Sequence, residues 1–189
     1  IIILPLYPQY ASSSSGTAIE EVMRSISKWW VIPNIKIISE FFENDGYLES
    51  IKAQANEFDL KDYDHILISF HGLPLRHVKK AHTNDTNCAT NKCTQQINSS
   101  NRYCYQANAY QTARLIAEKL NLTEDQYSIC FQSRLDDKWL KPYTDKEVIS
   151  QAKSGRKKIL VFSPAFVSDC LETTIEIGDG FEELFIANG

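Results

Sequence analysis

The sequence predicts an α/β fold, a doubly wound parallel sheet, from three observations. Short apolar runs rich in Ile, Leu, Val and Phe recur along the chain. Most are nearly continuous, as expected of strands buried on both faces of a parallel sheet. Amphipathic stretches with three- and four-residue apolar spacing separate them, an alternation that places crossover helices between parallel strands. Polar and aromatic clusters follow the apolar runs directly, and ligands of open parallel sheets bind outside the C-terminal ends of the strands.

Six segments read as strands: 1–6, 35–39, 65–70, 127–132, 158–163 and 183–187. After the first, Thr17-Ala18-Ile19-Glu20 reads as a capping box opening a helix that runs to about Trp30. A second helix is predicted over 47–58, with Leu48, Ile51 and Ala55 on one face. A third covers 106–120, with Ala109, Ala113, Ile116 and Leu120 in register. Shorter helices are predicted over 145–153 and 169–177. Residues 75–102 are polar and Asn-rich without apolar periodicity, and a loop of that length in a compact domain is functional or disordered. Trp29-Trp30 reads most simply as core packing, and Lys79-Lys80 as a solvated pair.

The chain has 189 residues and is 43% hydrophobic, enough for one well-buried core. Its net charge of −4 argues against nucleic acid as a partner, which needs a basic face. No apolar run approaches the ~18 residues of a membrane span. Five cysteines without a secretory signal favour a reducing compartment, with the cytoplasm as default.

The residues that follow the strands carry the chemistry. Tyr7-Pro8-Gln9-Tyr10 and four serines follow the first, and His71-Gly72-Leu73-Pro74 the third. Gln132-Ser133-Arg134 and then Trp139 follow the fourth, and Ser163-Pro164-Ala165-Phe166 the fifth. His71 is the sharpest single feature, at even odds a half-buried histidine bonding a carbonyl or a base or ligand. Asp169, Glu172 and Glu176 stand at i, i+3 and i+7, one face of a helix. A solvated acidic face is the plainer reading of them; facing a cleft, they would form a path for a cation or for protons. The serine loop before the helix is a weak anion site. Cys130 reads as a small core residue. Cys88, Cys93 and Cys104 are spaced C-x4-C-x10-C in the polar loop and suggest a metal or iron–sulfur site, to which His82 could add a fourth ligand.

LPLYPQYASSSSGTA, ISFHGLP, FQSRLDDKWLKPYTD and SPAFVSDCLETTIEI, in this order from the start of the chain to about residue 177, resemble the successive signature blocks of ferrochelatases. The resemblance implies a lyase that inserts Fe(II) into protoporphyrin IX, or coproporphyrin III, with loss of two pyrrole protons, as the terminal step of haem biosynthesis. It implies two similar doubly wound domains with the porphyrin between them. Residues 1–189 then look like the second domain, without the first domain and the closing C-terminal helix, and the isolated segment is expected to be weakly active or inactive. By the same resemblance His71 and Glu172 are catalytic, and His71, Glu172, Asp169 and Glu176 handle metal. Trp139, Phe166, Tyr10, Ser12 and Ser13 line the porphyrin cleft. Porphyrin and ferrous iron are the partners, and peripheral attachment to the inner membrane is compatible with the family. No cofactor is required. Some members carry a 2Fe-2S cluster in an internal loop, which makes Cys88, Cys93 and Cys104 candidate ligands; a second C-x4-C pair would need a cysteine where this chain has Ala109.

Overall fold

The structure, a computed structural model, describes residues 1–82 and 86–189; positions 83–85 of the expected polar loop lie outside the described residues. The main sheet has three parallel strands in the order β4-β3-β5. These are β3 (His65–His71), β4 (Tyr127–Gln132) and β5 (Ile159–Phe162). The register pairs Ile66 with Tyr127 through His71 with Gln132 on one side of β3, and His65–Ile159 through Ile68–Phe162 on the other. The first two predicted strands pair only with each other, as β1 (Ile2–Ile3) and β2 (Lys36–Ile37).

Alternation along β3 divides the core. Ile66, Ile68 and Phe70 face Leu48, Ile51 and Ala55 of α2 (Asp45–Ala55) and Ala109, Ala113 and Ile116 of α4 (Tyr105–Lys119). Leu67 faces the opposite layer with Cys130 and Val148, the latter from α5 (Thr144–Lys153). Helices on both faces make the fold doubly wound. Phe70 and Phe131 are fully buried, each contributing about 2–3 kcal/mol of transfer free energy. Among the described residues no helix is long and apolar enough to cross a membrane.

Four sequence expectations are corrected. The expected sixth strand, 183–187, lies in α6 (Glu182–Asn188). Phe181, Leu184 and Phe185 pack at i, i+3 and i+4 beside Val148, a period a strand cannot supply. The capping box does not form, because a wide turn over Ser12–Gly16 leads into α1 (Thr17–Ile26) and Thr17 Oγ1 donates to Ser14 O at 3.0 Å. Since α1 ends at Ile26, helical periodicity no longer aims Trp29 and Trp30 inward, and they are 48% and 100% exposed. The polar loop opens with a helical turn, α3 (Leu75–Lys80), anchored by Val78 in the core.

Candidate active site

His71 ends β3 and is half-buried at the C-terminal edge of the sheet. Its Nδ1 lies 2.6 Å from Gly72 O. A carbonyl can only accept, so Nδ1 carries a proton, and in the neutral ring Nε2 is the acceptor. Two aromatic rings lie near it, Trp139 at 6.5 Å and Phe166 at 6.2 Å between centroids. The turn after His71 is laced to the Trp139 segment by Leu75 N–H to Lys138 O at 2.8 Å and Leu140 N–H to Leu73 O at 3.0 Å. Gly72 has no room for a side chain: a Cβ there would stand 2.8 Å from Gln132 O and 3.3 Å from Trp139 Cε3.

The acidic segment is not a straight file. Asp169 precedes the helical stretch, is exposed, and accepts from Thr173 Oγ1 at 3.4 Å. Residues Glu172–Phe181 form a wide π-type helix that starts only after Cys170 O has accepted the Thr173 and Thr174 N–H groups. The i, i+3, i+7 alignment over one α-helical face is therefore corrected, although Glu172 and Glu176 remain a turn apart. Glu172 is held below the usual carboxylate range by its own main-chain N–H, then by the Cys170 side chain and the field of His71. Glu176 is gripped by Ser133, whose N–H donates to Oε1 at 2.8 Å and whose Oγ donates to Oε2. Gln132, 2% exposed, accepts from Ser69 Oγ at 2.7 Å and donates to Glu172 O at 3.2 Å. A buried polar chain thus ties β3 to the acidic segment.

Tyr10, Ser12 and Ser13 line a neighbouring cavity of about 620 Å³ with Leu73, His77 and Tyr103. Gln9 fixes that loop by donating to Thr112 Oγ1 of α4 at 3.0 Å. The structure therefore gathers His71, Glu172, Trp139 and Phe166, sets the Tyr10 and serine loop beside them, and leaves Asp169 at the surface. Sequence reasoning missed Tyr105, whose phenol donates to His71 O at 2.8 Å. It named Gln132 and Ser133 only as a cluster after a strand.

At the start of α4, His82, Cys88, Cys93 and Cys104 converge, their ligand atoms all within 4.8 Å of one another, and could hold a metal ion. Cys104 is pulled down to about 5, first by the Cys88 thiol donating to it and also by the Ala107 N–H. Cys88 is raised by making that donation and by burial.

A sequence model of the ferrochelatase family matches residues 1–189. The chain belongs to that family. It is 42% identical to the ferrochelatase of Pseudomonas fluorescens (strain Pf0-1) over 98% of its own length and 55% of the relative's. For the ferrochelatases of Coxiella burnetii (strain Dugway 5J108-111) and Legionella pneumophila (strain Corby) the identities are 44% and 43%. Each match covers 94% of this chain, and 50% and 53% of those relatives. The chain spans about half the length of the curated relatives it matches.

Proposed function

We propose that this chain is the second domain of a ferrochelatase that inserts Fe(II) into a porphyrin, and that His71 and Glu172 face the reacting macrocycle. The observation that carries this reading is His71 at the sheet edge, with Trp139 and Phe166 beside its ring and Nε2 the acceptor of the neutral ring.

Metallation exchanges two pyrrole protons for one divalent cation, so the site needs a proton acceptor and a route for cations. His71 Nε2, the acceptor nitrogen of the neutral ring, takes a pyrrole proton. The Nδ1–H bond to Gly72 O fixes the ring and steadies the imidazolium that results. Glu172, kept ionised, receives hydrated Fe(II) or passes on the second proton, with Glu176 and Asp169 behind it. Trp139 and Phe166 grip the ring and favour a bent macrocycle, whose lone pairs face the metal, over the flat one. Tyr10, Ser12 and Ser13 line the mouth of the cleft. The protein works in the cytoplasm, and peripheral contact with the inner membrane agrees with a greasy substrate.

The test is anaerobic porphyrin metallation by the full-length protein, wild type against His71→Ala, followed by absorbance. Haem formation that the substitution lowers at least about a hundredfold, the usual weight of a general base, supports both assignments. Equal rates remove His71 from the reaction, and no metallation by either protein removes the function. A companion titration uses residues 1–189 alone: with one wall of the cleft missing, saturable porphyrin binding is expected to be weak, and tight stoichiometric binding would overturn the domain boundary.

A further inference from the structure

We infer that His82, Cys88, Cys93 and Cys104 form a closed, mononuclear zinc site rather than a 2Fe-2S centre. This does not rest on the chelatase reading, because the metal would be counted by analysis and not by turnover.

The spacing of the ligand atoms fits a single ion. A tetrahedral ion with Zn–S of about 2.3 Å and Zn–N of about 2.0 Å sets its ligand atoms about 3.5–3.8 Å apart. Here Cys88 Sγ is 3.6 Å from Cys104 Sγ, His82 Nε2 is 3.3 Å from Cys88 Sγ, and Cys93 Sγ is 3.9 Å from His82 Nε2. All four atoms lie within 4.8 Å of one another. A binuclear cluster must house two irons and two bridging sulfides between its ligand pairs, and that pushes the ligands of one iron well away from those of the other. Four ligand atoms within 4.8 Å of one another have room for one ion among them and no more.

The donor set fits zinc as well. A 2Fe-2S centre draws its usual four thiolates from cysteine. The position five residues after Cys104 is Ala109, fully buried in α4, and the fourth donor is the imidazole of His82, two residues beyond α3. Three thiolates and one imidazole on a tetrahedron are a structural zinc set, and four protein ligands leave no position open for substrate.

The surroundings complete it. Cys93 and Cys104 are fully buried, and Asn101 Nδ2 donates to Cys93 Sγ at 3.5 Å. Cys104 caps the fifteen-residue helix α4, whose N-terminal field favours a thiolate. Asn91 Nδ2 stands 2.8 Å from His82 Nδ1 and 3.0 Å from Thr86 Oγ1. Turned by half a rotation, the same amide offers its oxygen to both groups. It then accepts the Nδ1 proton and leaves Nε2 as the metal-binding nitrogen, the support that ligating histidines commonly have. On binding, the thiols that still carry protons release them to solvent, and three thiolates with one Zn2+ leave a net charge of −1 that the Asn101 and Ala107 N–H groups offset.

The ion would tie the chain just beyond α3 to the start of α4, and so fix Tyr105, which holds the His71 carbonyl. The test uses the purified full-length protein with metal and acid-labile sulfide analysis. About one zinc per chain without sulfide is expected, unchanged in His71→Ala, which excludes zinc resting in the porphyrin cleft. Cys93→Ser should lose the zinc. His82→Ala, at a half-buried position, should fold normally by circular dichroism yet lose zinc to a competing chelator at least about tenfold more readily. Cobalt(II) exchanged into the wild type should give the intense visible bands of a tetrahedral thiolate site. Iron with matching inorganic sulfide would overturn the inference in favour of the binuclear cluster. Metal-free wild-type protein, or zinc indifferent to both Cys93→Ser and His82→Ala, would overturn it outright.

Discussion

The phenol of Tyr105 donates a 2.8 Å hydrogen bond to the main-chain carbonyl of His71, joining the first residue of α4 to the last residue of β3. Tyr105 is buried, and burial raises its phenol above the ordinary range, so the group stays a donor at any working pH. Tyr105→Phe keeps the packing and leaves the carbonyl without this donor, at a net cost of about 1 kcal/mol. A lower unfolding temperature is expected. If the bond positions His71, kcat for metallation falls by about fivefold, that same energy expressed as a rate. A variant less stable but fully active would reduce Tyr105 to a packing role.

Gly72→Ala tests the close approach that brings His71 and Trp139 together. The new methyl would meet Gln132 O at 2.8 Å, and the backbone cannot retreat because Gly72 N–H already bonds that oxygen at 2.7 Å. Forced accommodation of a methyl costs about 1–3 kcal/mol. Trp139 Cε3, at 3.3 Å, is the softer neighbour and should move. The expected result is a higher porphyrin KM with a changed tryptophan emission. An unchanged KM would mean that Trp139 does not line the cleft.

Stability should depend on pH through His65, which is 4% exposed in β3 and bonded to Ser128 Oγ at 2.8 Å. Burial first, and then the Arg156 charge, pushes it down to about 4. The unfolded chain therefore binds the proton more readily than the folded one between about pH 6.5 and 4. The stabilising contribution is complete above the upper value and is lost as the pH falls through the window, by about 3 kcal/mol once the window is crossed. Thermal unfolding followed from pH 7 to 4 should show this loss, and His65→Gln should flatten it. An equal slope in the variant would place the titration elsewhere.

How much was legible from sequence follows from locality. The strand over Tyr127–Gln132 has the expected bounds, and β3 extends by one residue to include His71, because strands buried on both faces announce themselves as apolar runs. Residues 183–187 form a short apolar run too, but such a run does not distinguish strand from helix, and packing against α5 decided it. The proximity of His71, Trp139 and Phe166 was legible because each stands at or beyond the C-terminal end of a strand and so reaches the same edge. The Tyr105–His71 and Ser133–Glu176 pairs join residues 34 and 43 apart, and no local pattern encodes them. Asp169 fell off its expected face because the segment begins as a turn and winds as a wide helix.

Ser133 holds both oxygens of Glu176, and does so from the left-handed backbone region at φ 60°. That conformation is uncommon for a residue with a side chain, so Ser133→Gly relieves the backbone and deletes the hydroxyl, while Ser133→Ala deletes the hydroxyl alone. A hydrogen bond to a carboxylate contributes about 1.5–3 kcal/mol, nearer the lower figure at this half-buried site. If Glu176 helps carry Fe(II), both variants should raise the KM for iron by about tenfold and leave the KM for porphyrin alone. Glu176→Gln, which keeps the shape and loses the charge, should match or exceed them. Should all three keep the wild-type iron KM while losing thermal stability, the Ser133–Glu176 pair is a latch between β4 and the acidic segment and no part of the cation route.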